Sequence, residues 1–238
     1  MMKFYRSLKP IEAMSFDLDD TLYDNRLVIR KMTQQVNQWF HHHHPISATQ
    51  SEQWWFDLKI SLAEQDNWLY SDLTQWRHRT TAQGLMLLGY SSPQAHQAAD
   101  DLLQITLEHR SDFIVPQETH RVMVQLAEKR PLVAITNGNV DLERIGLSDY
   151  FSLVLKGGRD GYAKPHADMF VKAQQYLAIE AKRILHVGDH LNTDVAGAKR
   201  NGFQACWYND QGVSLTQARH ASLLPDIEIH RLDALLKL

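Results

Sequence analysis

Two aspartates stand directly after a mostly apolar segment near the start of the chain. Residues 11–16 favour a buried strand, and Asp17 and Asp19 follow them. Side chains two residues apart on a strand point to the same side, so the two carboxylates would repel each other and the pKa of one would rise. A bound cation would relieve that repulsion. Different chemical roles for the two carboxyl groups would relieve it as well. A solvated acidic turn explains this segment alone equally well.

A second pair of aspartates opens a later helix. Residues 184–187 predict another strand, and Asp189 and Asp194 follow it. Carboxylate oxygens are ligands that Mg²⁺ prefers, together with substrate phosphate and water. Parallel sheets bind ligands at the carboxyl ends of their strands, so both aspartate pairs are expected at one edge. The alternative is that Asp194 serves the helix N-terminus and Asp189 only ends a strand.

Two further segments could hold a phosphoryl group. Residues 132–135 predict a strand that ends in Thr136 and Asn137, within a glycine-containing turn whose hydroxyl and backbone N–H groups suit phosphate oxygens. Lys164 precedes Pro165, which begins a helix and holds the lysine extended. Four aspartates round a phosphate need positive charge, which Mg²⁺ and this lysine would supply. A common β-turn and a solvent-facing lysine are the alternatives.

Tryptophan and glycine divide the chain into two parts. Five of the six tryptophans lie between positions 39 and 76, whereas nine of the eleven glycines lie at or beyond position 138. The tryptophan-rich part has helical spacing of apolar residues, and its last helix is predicted to begin with Ser92 as N-cap and Pro93 at N1. The flanking parts alternate β-rich runs with helices, which is typical of parallel βαβ units.

The sequence therefore predicts an α/β fold with an inserted helical region. The core would comprise residues 1–23 and 116–238, and an all-helical domain would occupy residues 24–115. The predicted strands are residues 13–18, 132–136, 152–155, 184–187 and 203–208.

The composition of the chain excludes several classes of protein. The chain has 238 residues, a formal net charge of −3 and 44% apolar residues, as in ordinary globular proteins. No basic surplus favours nucleic acid or an anionic membrane, and no apolar stretch approaches the roughly 18 residues of a membrane span. The single cysteine, Cys206, fits a buried thiol in a reducing compartment. We predict a cytoplasmic protein that binds neither nucleic acid nor membrane, and no obligate protein partner is evident.

Three polar features have structural interpretations. Four consecutive histidines at residues 41–44 are expected to end the first helix in solvent, with metal binding as the less favoured alternative. Asp20 is interpreted as a hydrogen-bonding turn residue, and His186 as a core histidine within a strand.

The acidic, threonine and lysine segments, in this order, resemble the motifs of the haloacid dehalogenase superfamily of aspartate-nucleophile phosphotransferases. The matching residues are Asp17 to Thr21 for the first motif, Thr136 for the second, Lys164 for the third, and Asp189 with Asp194 for the fourth. The insertion has the position of the family's helical C1 cap. The resemblance implies a Rossmann-like core whose first strand is central in a parallel sheet.

The resemblance also implies roles for the matched residues. Asp17 would attack phosphorus and form an aspartyl phosphate, while Asp19 would protonate the leaving oxygen and then activate water. Mg²⁺ would bind the Asp17 carboxylate, the Asp19 main-chain carbonyl and Asp189, with Asp194 in support. Lys164 would steady the nucleophile. The residues expected to hold the phosphate are Thr136, Asn137 and Lys164.

Residues 16–25 and 134–139, together with Trp76-Arg77, are similar to a bacterial subgroup that dephosphorylates 5-amino-6-(5-phospho-D-ribitylamino)uracil, a riboflavin precursor, and FMN. This implies a small phosphorylated metabolite as substrate. Trp76 would stack on its ring, with Arg77 or Arg79 near polar groups, unless the tryptophans form the insertion's own core. Phosphatase action on a sugar phosphate, phosphomutase activity and non-catalytic binding of a phosphometabolite are the alternatives. Carbon–halogen chemistry is disfavoured because it needs no acid at the position of Asp19.

Overall fold

The computed structural model describes residues 2–215 and 222–238 and contains one seven-stranded sheet. Its strands are β1 (Met2–Phe4), β2 (Ala13–Phe16), β3 (Leu132–Thr136), β4 (Leu153–Lys156), β5 (Ile184–Gly188), β6 (Gln204–Tyr208) and β7 (Ile227–Ile229). Their spatial order is β1-β7-β6-β5-β2-β3-β4, and only the β1–β7 pair is antiparallel. The prediction of a parallel sheet with a central first core strand is confirmed.

Helices lie on both faces of the sheet and in the segment between β2 and β3. They are α1 (Asn25–His43), α2 (Glu52–Gln65), α3 (Leu73–Leu87), α4 (Ser92–Arg110), α5 (Gln117–Ala127), α6 (Asp168–Leu177) and α7 (Gly197–Arg200). A π-helix over Leu191–Ala196 leads directly into α7. Helices α1 to α4 follow one another in the chain and pack on one another. We call them the helical insertion; its division from the core at residues 24 and 115 stays a prediction.

The central strands are buried on both faces, as parallel strands usually are. In β3, Leu132 and Ala134 belong to an apolar cluster that α5 covers, whereas Val133 and Ile135 belong to a cluster that α6 covers. This alternation follows from the two-residue period of a strand. Strands β5, β2 and β3 are neighbours, so the side chains that follow them meet at one edge of the sheet.

The helical insertion has its own core. Met32, Val36 and Phe40 recur at helical spacing along α1 and are buried against Leu85 of α3 and Leu102 of α4. Such a stripe packs one side of α1 and leaves the other exposed.

The first strand is shorter than predicted. It ends at Phe16, because residues 18–22 form a tight turn in which the N–H groups of Thr21 and Leu22 donate to the Leu18 carbonyl at 3.2 and 2.8 Å. Asp20 has a φ of 56° within this turn and accepts a hydrogen bond from the Asn25 N–H at 2.8 Å, as its interpretation as a turn residue requires. Asp19 therefore lies beyond the strand, and the prediction that it shares a strand face with Asp17 is wrong.

Other differences concern element ends and the edge of the sheet. The N-cap of α4 is Ser91 and not Ser92, because the Ser91 N–H donates to Gln94 Oε1 at 3.2 Å in a capping box. Strands β1 and β7 were not predicted. Each has three residues, too few to show a clear alternation.

The histidine run ends α1, as predicted. His42 and His43 are exposed, whereas His41 Nδ1 lies 2.7 Å from Ser47 Oγ and His44 Nδ1 lies 3.2 Å from the Tyr90 hydroxyl. Across the described ranges, these histidines belong to no group of side chains placed to bind a metal.

Cys206 is buried on β6, and burial raises the pKa of its thiol. No helix among residues 2–215 and 222–238 has the length and apolar character needed to cross a bilayer.

Candidate active site

The centre of the site is a buried lysine between two aspartates. Lys164 Nζ donates to Asp17 Oδ1 at 2.7 Å and to Asp194 Oδ1 at 2.6 Å. Lys164 is 3% exposed and Asp17 is 7% exposed. The Asp17 N–H donates to the Val187 carbonyl at 2.9 Å, which extends the pairing of β2 with β5 by one residue and fixes where this carboxylate lies.

Asp194 reaches Lys164 because its side chain packs directly against the main chain of Gly188. A Cβ on Gly188 would lie 2.3 Å from Asp194 Cγ, so only glycine fits at the end of β5. The His190 N–H donates to Asp194 Oδ2 at 3.0 Å, and His186 Nε2 lies 3.3 Å from Oδ1. Burial alone would raise the pKa of Asp194, but Lys164 and His186 outweigh it and hold this pKa below its usual value.

His186 is a buried residue within β5, as predicted, but it also contacts the site. Its Nδ1 lies 2.9 Å from Ser15 Oγ, so its ring joins Ser15 on β2 to the carboxylate of Asp194. Burial lowers the pKa of His186, which favours the neutral ring.

Asp189 lies beside this group at the mouth of the site. Burial, together with the charge of Asp194, raises the pKa of Asp189 to about 7. Thr21 Oγ1 accepts a hydrogen bond from the Asp189 N–H at 3.1 Å, and Trp207 Nε1 donates to the Asp189 carbonyl at 2.8 Å. The main chain of Asp189 is therefore fixed on both sides.

Three of these carboxylates could hold a cation. Oxygens of Asp17, Asp189 and Asp194 lie within 4.8 Å of one another. Burial raises the pKa of Asp17 well above its usual range, and the nearby carboxylates raise it further, although Lys164 opposes them. The single ammonium of Lys164 cannot balance three carboxylates, so this partly desolvated site has an excess of negative charge. An all-oxygen donor set of this kind fits a hard divalent cation such as Mg²⁺.

Asp19 has different partners from Asp17. Its Oδ1 accepts a hydrogen bond from the Tyr23 hydroxyl at 2.6 Å and another from Arg110 Nη2. A Cβ on Gly138 would lie 2.4 Å from Asp19 Oδ2, so the glycine lets this carboxylate approach the turn after β3. The repulsion expected between the first two aspartates is thus relieved by separate cations, Lys164 for Asp17 and Arg110 for Asp19.

Arg110 was not predicted as a site residue. It is the last residue of α4 and is 3% exposed, yet it contacts Asp19 of the core. Within the described part of the chain, its Nη1 is buried without a hydrogen-bond partner. A buried donor left unpaired costs about 1–3 kcal/mol, so a bound ligand that supplied an oxygen here would gain from it.

The two residues after β3 have different surroundings. Thr136 Oγ1 accepts a hydrogen bond from the Gly138 N–H at 2.9 Å. The side-chain amide of Asn137 accepts from the Lys164 N–H at 2.7 Å and donates to the Lys164 carbonyl at 2.9 Å. Asn137 therefore braces the main chain that carries Lys164, and its predicted contact with phosphate stays a prediction.

A cavity of about 500 Å³ opens between Asp19 and the helical insertion. Its wall includes three basic side chains, Lys59, Arg77 and Arg110. The aromatic side chains on the wall are Phe40, Trp55 and Phe56.

Trp76 lies elsewhere, within the core of the insertion. It is 8% exposed and packs with Ala63 and Leu69. Its Nε1 donates to the Lys59 carbonyl at 2.6 Å. Arg79 pairs with Asp66 and is also absent from the cavity wall. This position agrees with the alternative prediction, that the tryptophan belongs to the insertion's own core.

Comparisons with known proteins identify the family of this chain. A family model described as haloacid dehalogenase-like hydrolase matches residues 11–202. The 5-amino-6-(5-phospho-D-ribitylamino)uracil phosphatase YigB of Escherichia coli K12 is 42% identical over 237 residues, which is 100% of both chains. A phosphoglycolate phosphatase of Chromobacterium violaceum is 29% identical and covers 84% of this chain and 85% of its own.

A solved structure has the same fold. The crystal structure of a 2-haloacid dehalogenase from Pseudomonas syringae superimposes with a TM-score of 0.89 and 33% identity, covering 95% of this chain and 97% of that one. Both the family model and a full-length relative match across the buried aspartates and Lys164. The chain belongs to the haloacid dehalogenase-like hydrolase family.

Proposed function

We propose that this protein is a Mg²⁺-dependent phosphomonoester hydrolase that acts on 5-amino-6-(5-phospho-D-ribitylamino)uracil and on FMN. The observation that carries the proposal is the buried Asp17–Lys164–Asp194 arrangement with Asp189 beside it. The name of the full-length relative at 42% identity supports the ribitylaminouracil phosphate as a substrate, and the resemblance of residues 16–25 and 134–139 to the bacterial subgroup supports FMN. The proposal includes the division into a catalytic core and a cap of residues 24–115.

The reaction begins at Asp17. One of its carboxylate oxygens attacks phosphorus and forms an aspartyl phosphate, while the phosphorus–oxygen ester bond breaks and its electron pair goes to the leaving oxygen. Asp19 gives that oxygen its proton. The Asp19 carboxylate then takes a proton from a water molecule, whose oxygen attacks phosphorus, releases Asp17 and yields inorganic phosphate.

Fixed charges around Asp17 hold the phosphoryl group. Lys164 stays in place because Asp194 binds it on one side and Asn137 braces its main chain. The Thr136 hydroxyl accepts a hydrogen bond from the Gly138 N–H and keeps its own proton to donate to a phosphoryl oxygen. Asp17, Asp189 and the Asp19 main-chain carbonyl, with Asp194 in support, would hold Mg²⁺, which would supply positive charge at the phosphoryl oxygens.

Dehalogenation is a second candidate because of the structural neighbour from Pseudomonas syringae, which is named a 2-haloacid dehalogenase. A departing halide needs no proton, whereas an alkoxide does. Tyr23 and Arg110 hold the Asp19 carboxyl group beside the cavity. A carboxyl group held there favours phosphoester hydrolysis, which needs a proton donor for the leaving oxygen, over dehalogenation.

The test is an assay of phosphate and halide release by the purified protein with Mg²⁺. We expect phosphate from the ribitylaminouracil phosphate and FMN, with kcat/KM on the order of 10⁴ M⁻¹s⁻¹ or more for at least one. Ribose 5-phosphate tests a sugar-phosphate substrate, glucose 1-phosphate tests mutase activity, and 2-chloropropionate tests dehalogenation. Halide release without phosphate release would contradict the proposal, and rapid cleavage of the sugar phosphate alone would overturn the substrate.

Arg110 is expected to position Asp19. Arg110→Gln should lower kcat/KM by roughly 10- to 100-fold for every phosphomonoester, because charge-assisted hydrogen bonds are worth about 1.5–3 kcal/mol. The fall should lie mainly in kcat, and Arg110→Lys should recover part of it. Arg121→Gln is the control, since Arg121 is exposed and pairs with Glu118 on α5. Full activity of folded Arg110→Gln on two unrelated esters would show that Asp19 needs no such partner.

A further inference from the structure

Two basic side chains on the cavity wall have no acidic partner. Lys59 comes from α2 and Arg77 from α3, and both line the cavity. Across residues 2–215 and 222–238, no carboxylate forms an ion pair with either of them. Glu52, the acid that the insertion adds to the wall, is exposed and makes no such pair there.

The environment of these two cations is unfavourable without a ligand. Burial lowers the pKa of Arg77, and burial together with the charge of Arg77 lowers the pKa of Lys59. Two partly desolvated like charges therefore lie close enough to repel each other. Electron-rich oxygens between them would relieve both the repulsion and the lost hydration.

Trp76 fixes the position of Lys59. Its indole Nε1 donates to the Lys59 carbonyl at 2.6 Å, and Lys59 Nζ lies 4.2 Å from the centre of the Trp76 ring. A cation over an aromatic face is attracted to it, so this contact limits where the ammonium of Lys59, a residue of the cavity wall, can lie. The buried tryptophan is thus a positioning residue that acts through Lys59.

The rest of the wall favours a flat, uncharged body between the cations and the phosphoryl site. Phe40, Trp55 and Phe56 contribute aromatic surface to the same cavity. Asp19 and Gly138 mark the end where phosphate would react. An aromatic ring can lie against such a surface, and the planar fork of Arg77 can donate two parallel hydrogen bonds to its edge.

We propose that Lys59 and Arg77 form a subsite for the carbonyl edge of the substrate's ring, the dioxopyrimidine edge that uracil and the flavin ring share. This inference rests on the proposed function. In this proposal Lys59 and Arg77 select for the ring of the substrate, and Trp76 holds Lys59 in position.

The test compares two esters that differ only in the ring. FMN and ribitol 5-phosphate share the ribityl phosphate, so the ratio of their kcat/KM values isolates the ring's contribution. We expect Arg77→Met to lower this ratio by roughly 10- to 100-fold and Lys59→Met by roughly 5- to 20-fold, as for lost hydrogen bonds to charged groups. Arg77→Lys should recover part of the ratio. Trp76→Phe loses the indole N–H but keeps a ring, so it should lower the ratio less than Lys59→Met does.

Binding of riboflavin gives a second readout that needs no turnover. Riboflavin carries the ring and the ribityl chain without phosphate, and its fluorescence reports binding directly. Its Kd should rise roughly 10-fold or more in Arg77→Met. The matched control is Arg30→Met, which removes an exposed arginine of α1 that does not line the cavity.

Several outcomes would overturn the subsite. An unchanged ratio in folded Arg77→Met and Lys59→Met, with unchanged riboflavin affinity, would exclude a ring contact while leaving the proposed function intact. Equal loss on FMN and ribitol 5-phosphate would make the effect structural. A wild-type preference for a bisphosphate that both variants lose would assign the cations to a second phosphate instead. Failure of wild type on both ring-bearing esters would overturn the proposed substrate and the subsite together.

Discussion

Asp17→Asn is expected to abolish turnover while the protein stays folded. An amide of the same shape cannot attack phosphorus, and covalent catalysis leaves no substitute nucleophile. The fold should survive because Lys164 keeps its bond to Asp194 at 2.6 Å, so the lysine is not left without a counter-charge. Burial already raises the pKa of Asp17 well above its usual range, which means that a neutral side chain suits this position in the metal-free protein.

The measurement is phosphate release by wild type and variant at equal concentration, with circular dichroism and Tm as checks on the fold. We expect the variant to retain less than about one hundredth of the wild-type rate. Asp24→Asn is the matched control, because Asp24 is exposed and caps α1 through its side chain, a task that asparagine performs as well. Phosphate release by folded Asp17→Asn above that level would remove Asp17 from the role of nucleophile.

The sequence identified the residues whose position depends on strand ends. Asp17, Thr136 and Asp189 each follow a strand whose apolar run is evident, and a parallel sheet brings such ends together. Asp194 and Lys164 do not lie directly at a strand end. Their types point to metal and phosphate binding, and their order matches a known motif set, but spacing alone does not predict that they meet; the structure joins them at 2.6 Å.

Contacts that depend on packing between distant segments were not predictable from spacing. Arg110 reaches Asp19 across 91 positions of the chain, and nothing in the pattern of α4 distinguishes it from an arginine in a solvent-exposed last turn. The predicted strand extends over residues 13–18, whereas the observed strand ends at Phe16 and a tight turn begins at Leu18. The residue type of Trp76 predicts a ring contact, whereas packing buries this tryptophan beside Ala63 and Leu69, and other side chains line the cavity.

Removal of divalent metal is expected to silence the enzyme. With EDTA present, the described residues balance Asp17, Asp189 and Asp194 chiefly through Lys164, with His186 beside Asp194, and a phosphate dianion would add to the excess of negative charge. Mg²⁺ should restore activity, whereas Ca²⁺ should restore little, because its larger and more flexible shell suits octahedral phosphoryl geometry poorly. Full activity in metal-free buffer would contradict the metal role of Asp189.

The affinity for Mg²⁺ should depend on pH through Asp189. Burial raises its pKa to about 7, so below that pH the metal-free protein holds a proton that Mg²⁺ must displace. The same proton stabilises the folded metal-free protein at low pH, and this stability is lost as pH rises towards 7. Calorimetry should therefore show tighter Mg²⁺ binding at about pH 8 than at about pH 6, and Mg²⁺ should raise Tm more at the higher pH.

Asp189→Asn separates this linkage from a general effect of pH on the protein. The amide keeps an oxygen ligand but carries neither the charge nor the titrating proton, so Mg²⁺ should bind more weakly and with a smaller pH dependence. Asp24→Asn, which removes an exposed carboxylate outside the cluster of three, should retain the wild-type dependence. If Asp189→Asn bound Mg²⁺ with the wild-type affinity at both pH values, the cation would not use this carboxylate, and Asp17 and Asp194 would have to hold it without Asp189.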